Sequence, residues 1–303
     1  MKLKPYILSL LLILSVSSVV SAKGVGTTMF SVLQLPASAY DGALAYTTVA
    51  GEYSAIQNPS IVPFLSRSVI FSHAVYLEGT RYSVGDINLM LNEKSGINFA
   101  FYYFDYGSLD RYIESGDSYV KNGSFNPNEK VLNISYGRRF NRNFYYGASL
   151  KYVGQTIDDV SYTGYALGFS GTYFITDNML LSSGINNLGP QVSGYDLPTN
   201  FYLGFSGEVD QEKGLLVVAQ LDAYYNDEIY ELKLACEKQY EDIFFLRLGY
   251  VVPLENHNGT NNNFITNLTL GAGIKYKVFF VDYAWLPKGD LGNVHMFTLR
   301  VDF

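Results

Sequence analysis

The sequence predicts an all-β fold, a transmembrane antiparallel β-barrel of about 14 strands. Three observations carry this. From Arg67 onward apolar and polar residues alternate with a period of two, in runs close to the length of a tilted membrane strand. Charged residues are only 16% of the chain, whereas Tyr and Phe number 27 and 20, a balance unlike that of ordinary soluble domains. The long links between runs share one parity, with Asp158–Val160 short where length is permitted and Asp210–Gly214 somewhat long for a turn, the pattern expected of strands crossing a membrane in turn.

The runs are 67–78, 80–91, 96–106, 129–140, 143–156, 161–175, 178–187, 200–209, 214–225, 229–240, 243–253, 263–276, 278–286 and 293–303. In the run 229–240, Tyr230, Leu232, Leu234 and Cys236 oppose Glu231, Lys233, Ala235 and Glu237. The final run places Phe297, Leu299, Val301 and Phe303 on one face. A strand that ends the chain on an aromatic residue suits a barrel whose last strand closes the cylinder, and this face is the expected assembly signal.

Gly107–Asn128, Asn186–Thr199, Pro253–Asn262 and Pro287–Gly292 are the long links. Asn141-Arg142, Thr176-Asp177, Glu241-Asp242 and the neighbourhood of Lys277 are tight. The long links are therefore expected outside the cell and both termini on the periplasmic side.

Lys2 and Lys4 precede an apolar stretch, Ile7 to Val20, and Val20-Ser21-Ala22 supplies small residues. Residues 1–22 read as a cleaved signal peptide cut after Ala22, which directs the chain to the bacterial outer membrane. Lys23 to Leu65, rich in Ala and holding Pro36, Pro59 and Pro63, reads as short helical or irregular pieces. Residues 66–303 form the barrel. The single Cys excludes an internal disulfide, and a net charge of −7 offers no nucleic-acid footprint.

A charge facing lipid at mid-depth costs about 2–4 kcal/mol, so mid-strand charges belong in the lumen. Glu231, Lys233, Arg247, Lys275, Asp282 and Arg300 come from adjacent strands and include both signs. Opposite charges on neighbouring strands attract, so these residues read as a salt-bridge network filling the lumen, with an ion-selective constriction as the functional alternative. Tyr145, Tyr146, Tyr224, Tyr225, Phe244, Phe245, Phe279 and Phe280 sit at run ends, where interfacial girdles form.

Catalytic chemistry is not legible. His73, His257 and His295 lack metal-ligand spacing, and no nucleophile, phosphate-loop or HExxH motif is present. No catalytic residue, metal ligand or cofactor is expected. Asp158-Asp159 reads as turn chemistry, and the Asn-rich FNPN and NHNGTNNN stretches as hydrophilic loops.

Several segments carry a resemblance to a known family: MFSVLQLPASAYDGALAYTTVAGEYSAIQNPSIV (Met29–Val62), LNISYGRRFNRNFYYGASLKYVGQTIDDVSYTGYALGFSGTYF (Leu132–Phe174), GINNLGPQV (Gly184–Val192), LRLGYVVP and the closing DYAWLPKGDLGNVHMFTLRVDF. Together they resemble the PorV/PorQ family, a branch of the FadL-like outer-membrane barrels, with departures at Asp41-Gly42-Ala43 and Gln57. The resemblance implies that residues 23–65 fold into the lumen as a hatch, with Asn58, Pro59 and Ser60 as the hatch motif. It implies a role beside secreted cargo or secretion-system proteins, as in type IX secretion. The FadL branch implies instead a channel for long-chain fatty acids or another hydrophobic ligand. That alternative needs an apolar pocket between the Asn58-Pro59 segment and the wall, which Met29, Phe30, Leu33 and Leu35 would line. Outer-membrane lipid and the barrel-assembly machinery are the remaining expected partners.

Overall fold

The computed structural model describes residues 28–50, 53, 55–116, 118–210, 214–254 and 264–303. The export segment, the cut after Ala22, His257 and the NHNGTNNN stretch lie outside them.

The strands are β1 (Ser68–Val75), β2 (Arg81–Asn92), β3 (Ser95–Asp105), β4 (Leu109–Ser115), β5 (Ser118–Phe125), β6 (Asn128–Arg139), β7 (Phe144–Ile157) and β8 (Val160–Thr176), then β9 (Met179–Leu188), β10 (Asn200–Asp210), β11 (Leu215–Tyr224), β12 (Ile229–Tyr240), β13 (Phe244–Pro253), β14 (Leu268–Tyr276), β15 (Phe279–Pro287) and β16 (Asn293–Asp302). All but β4 and β5 form one closed antiparallel barrel of 14 strands. Consecutive barrel strands pair, and β1 closes on β16 from Ser68↔Asp302 to Val75↔His295. Closure leaves no unpaired edge, which a sheet in hydrocarbon requires. Among the described residues no helix is long and apolar enough to cross a membrane.

Alternation decides which way each side chain points. Phe71, Leu132, Leu246 and Phe297 lie on the outer face, each more than half exposed. Lys151, Asp222, Lys233, Arg247, Asp282 and Arg300 are buried inside. A soluble protein has the opposite arrangement, and an apolar outer band around a polar lumen is that of a membrane barrel. The aromatic doublets at the strand ends do not both serve the outer girdle. Tyr146, Tyr225, Phe244 and Phe279 are exposed outside, but Tyr145 packs on Phe64, and Phe245 and Phe280 lie under Arg247 and Arg300. Adjacent strand residues must face opposite ways.

The long link Gly107–Asn128 differs from the expectation of a plain loop, because it carries the β4–β5 hairpin. Arg111 ties that hairpin to the β7–β8 turn through Asp158, and reaches Asp159 at 3.6 Å. The run 263–276 also shortens, since Phe264–Asn267 is a 3-10 turn and the strand starts at Leu268.

Residues 28–67 run through the lumen from one end to the other. Thr28 and Met29 bond to Asp227 and Asp196 at the long-loop end. A 3-10 turn at Ser31–Gln34 and the short helix α1 (Ala39–Ala43), capped by the Ser38 side chain on the Asp41 amide, follow. A second 3-10 turn, Pro59–Phe64, lies against the short-turn ends of β3, β6, β7 and β8. The C-terminus lies at the short-turn end and the first described residues lie at the opposite end, while the expected mature N-terminus, Lys23, lies outside the described residues.

Candidate functional site: the lumen segment and its mouth cavity

Two regions fix the lumen segment to the wall. At the short-turn end, Asn58, Pro59 and Ser60 are all fully enclosed. The Asn58 amide donates to Thr48 O at 3.2 Å and Ser182 Oγ at 3.0 Å. Its oxygen accepts from Ser60 Oγ at 2.7 Å. The Ser60 amide donates to Ser170 Oγ at 2.8 Å, and its hydroxyl meets Thr172 Oγ1 at 2.7 Å. Pro59 lies directly on the wall backbone: a Cβ on Gly137 would meet the Pro59 carbonyl, and one on Gly147 would stand 2.6 Å from the Ser60 nitrogen. Only glycine permits so close an approach. The segment fits here without a gap.

Midway along the lumen, Tyr40 and Tyr53 stack with ring centroids 4.7 Å apart. Arg247 of the wall caps Tyr40 at 4.5 Å and Arg300 caps Tyr53 at 4.8 Å. Arg247 also bridges Glu237 and Asp282, each at 2.5 Å, and Tyr53 donates to Asp282 at 2.9 Å. Desolvated cation–π contacts and charge-assisted hydrogen bonds are the stronger members of their classes.

The six charges singled out in the sequence thus fall into separate groups. Arg247 and Asp282 meet. Lys233 lies 3.5 Å from Glu231, with Asp222 nearer at 3.1 Å. Arg300 bonds Asp302 at 2.8 Å. Lys275 sits toward the short-turn end with its ammonium 5.2 Å from the Phe280 ring centre. Of the other lumen charges, Lys151 donates to Asn187 at 2.8 Å, and Glu129 accepts from Tyr106, Gln155 and the Val32 amide. The outer-face residues of the closing strand, Phe297 and Leu299, are exposed, and the Phe303 amide donates to Arg67 O at 2.9 Å.

A cavity of about 500 Å3 opens between the segment and the wall at the long-loop end. Leu35, Leu77, Phe104, Ile229, Val251 and Pro287 are among its apolar lining residues, interspersed with Ser31, Gln34, Glu231, Lys233, Thr269 and Lys288. Tyr46, Tyr76, Tyr106 and Tyr224 also line it. Burial raises the Tyr76 and Tyr106 phenols above the usual range, so both remain protonated. Burial works against the Lys288 charge, but the surrounding Tyr46, Tyr76 and Glu231 together outweigh it and hold its amine above the usual lysine range. The Lys233–Asp222 pair and Tyr224 form the floor, below which lies a second space of about 20 Å3. The expected position of a pocket, beside Asn58-Pro59, is therefore corrected. The cavity is at the other end, because the small-residue wall lets the Pro59 turn sit flush. Of the four expected lining residues only Leu35 reaches it, while Met29, Phe30 and Leu33 pack in the neighbouring apolar cluster.

Solved structures share this architecture. A TodX monoaromatic hydrocarbon channel with two deletions superposes with a TM-score of 0.62 at 12% identity, over 88% of this chain and 99% of the other. A Pseudomonas aeruginosa FadL homologue gives 0.59 at 10% identity, over 89% and 99%. The fold is that of the FadL-type channels. The Ralstonia pickettii toluene transporter TbuX gives 0.57 at 14% identity, over 91% and 100%. At such identities the likeness to FadL-type channels is one of fold alone. No protein-family model matches the chain, and no curated protein matches it. The PorV/PorQ branch implied by resemblance finds no support here. What the sequence did not disclose is the mouth cavity: its lining comes from the lumen segment, four links and six strands far apart in the chain.

Proposed function

We propose that the chain is an outer-membrane channel that admits small hydrophobic or amphipathic molecules through the mouth cavity, with the lumen segment as its barrier. The cavity carries this reading. It has the size of a small-molecule site, it opens at the long-loop end, and apolar side chains make up much of its lining. The hydrocarbon channels and toluene transporter of like fold support it. The solute enters from the long-loop side, and passage below the floor requires Lys233 or the lumen segment to shift.

The remaining parts fit that role. Residues 1–22 direct export and are removed after Ala22, and residues 23–65 act as the hatch, seated by Asn58, Pro59 and Ser60. The groups around Glu231, Lys233, Arg247, Lys275, Asp282 and Arg300 stiffen the lumen. Phe297, Leu299, Val301 and Phe303 present the face read during assembly. The protein is not an enzyme. The test is uptake of a radiolabelled monoaromatic hydrocarbon by cells with and without the protein. Expression should raise the initial rate, and Leu77→Trp, which narrows the mouth, should abolish the gain. Equal rates in all three cells would sink the reading.

A secretion-partner role is the second reading. The β4–β5 hairpin favours it, because Leu109, Ile113 and Val120 are exposed on a projecting element. Co-purification of an exported protein that depends on residues 109–125 tests it.

A further inference from the structure

The short-turn rim of the barrel is unevenly charged. The β2–β3 turn carries Lys94, and the end of β6 with the turn after it carries Arg138, Arg139 and Arg142. The Arg139 amide donates to Lys94 O at 2.7 Å, and Arg138 stands opposite Ser95, the residue after Lys94, in the β3–β6 ladder. The two turns therefore lie side by side and present their cations as one patch. Lys94, Arg138 and Arg142 are exposed, and Arg139 is half-buried.

These cations lack carboxylate partners. The two turns hold one carboxylate, Glu93, so four positive charges against one negative leave a formal charge of +3. Among the described residues none of the four makes an ion pair. Arg139 is engaged otherwise: its Nε donates to Asn141 O at 3.2 Å, and its guanidinium lies 5.9 Å from the Tyr145 ring centre. The acidic side chains Asp177, Glu241 and Asp242 stand on other turns of this rim, β8–β9 and β12–β13. Like charges gathered in this way repel one another, and an anion placed among them relieves the repulsion.

The patch also has an apolar side. Arg138 points outward, on the face of β6 that carries Leu132, Ile134 and Tyr136. Its cross-strand neighbour in β7 is Tyr146. Tyr136, Phe140 and Tyr146 are all exposed. A basic edge beside an exposed aromatic strip is the arrangement of a membrane interface, with the aromatic rings at the hydrocarbon boundary and the cations at the level of lipid phosphates. From there arginine and lysine reach phosphate oxygens, arginine with two parallel N–H groups. A lipid matches both parts at once, its head on the cations and its chains on the aromatic strip. A soluble acidic protein matches the cations alone.

We infer that the β2–β3 and β6–β7 turns bind an anionic phospholipid, with its phosphate on Lys94, Arg138 and Arg142 and its chains against Tyr136, Phe140 and Tyr146. A head of net negative charge is preferred to a zwitterionic one, because a lipid ammonium brings a further positive charge to the patch. This surface is at the opposite end from the mouth cavity and does not rest on the channel reading.

The experiment uses the full mature protein in vesicles made of equal parts phosphatidylglycerol and phosphatidylethanolamine with matched chains. After extraction in mild detergent, native mass spectrometry counts the lipids that stay bound. Phosphatidylglycerol should exceed phosphatidylethanolamine by about fivefold or more, the effect of a single Lys or Arg beside an anionic membrane surface. Lys94→Gln, Arg138→Gln and Arg142→Gln together should remove the excess. Lys277→Gln, on the β14–β15 turn of the same rim, should leave it unchanged. Equal amounts of the two lipids on the unaltered protein would overturn the inference, as would an excess that survives the triple substitution. An acidic protein retained in place of lipid, and lost from the triple variant, would assign the patch to a protein contact and overturn the lipid reading. If the triple variant does not assemble, a salt series on the unaltered protein decides. An excess that falls as salt rises supports the site, and one indifferent to salt overturns it.

Discussion

The Arg247 guanidinium stands 4.5 Å from the centre of the Tyr40 ring, so strand β13 grips the lumen segment through a side chain that is itself held by two carboxylates. Tyr40→Ala removes this ring and the stack on Tyr53. Emptying a fully buried aromatic site costs about 3–5 kcal/mol, and here the loss falls on the seating of the segment. Ion conductance in planar bilayers should rise, while the heat-modifiable mobility of the barrel stays unchanged. Tyr40→Phe keeps the ring and should behave like the unaltered protein.

At the other end of the segment the contact is backbone to backbone. Gly147→Ala places a methyl group against the Pro59 carbonyl and the Ser60 amide. Overpacking of this kind costs about 1–3 kcal/mol. Since the wall strand is fully paired, the Pro59 turn should be what moves. The expected result is faster proteolytic nicking within residues 28–67, read by mass spectrometry. An unchanged nicking rate with the alanine in place would show that the turn has room.

Lys233 and Asp222 provide a test of pairing in the lumen. Lys233→Met alone leaves the enclosed Asp222 carboxylate uncompensated, and breaking a buried pair in this way costs about 3–5 kcal/mol. The double variant Asp222→Asn with Lys233→Met should recover much of that loss, because both charges go together. Urea midpoints of the refolded barrel measure both. If the losses simply add, the pair is not coupled.

Deletion of Phe303 should lower the amount of heat-modifiable barrel in the membrane fraction. The residue's amide closes on Arg67 O at 2.9 Å and its ring is 68% exposed on the outer face. Undiminished assembly would assign closure to Phe297 and Leu299 alone.

These variants also mark what the sequence discloses. Leu246 and Arg247 announce their opposite faces because the outside is lipid and the inside is polar, and a period of two survives wherever those media differ. The β4–β5 hairpin projects beyond that boundary. Both its faces meet solvent, so Leu109–Phe125 shows no alternation and reads as a loop. The Arg247–Asp282 pair was readable as an attraction between nearby strands. The Tyr40–Tyr53 stack was not, since the two residues share no regular element, and nothing local in either marks the other as its partner. That Asp222 is the nearest partner of Lys233 depends on the register of β11 against β12. The cavity was illegible for a similar reason: Leu35, Leu77, Glu231 and Lys288 become neighbours only when the cylinder closes.

The route of residues 28–67 constrains the order in which this molecule is made. The segment passes from Asp227 at one rim to the start of β1 at the other, and the seam between β1 and β16 is the joint that completes the ring. Once that joint is made, a peptide left outside would have to be threaded lengthwise through a finished tube, a step that folded chains avoid. The segment must therefore be in place before the last seam zips. Its contacts with β6, β7, β13, β14 and β15 then make it a mandrel around which the curved sheet is wound.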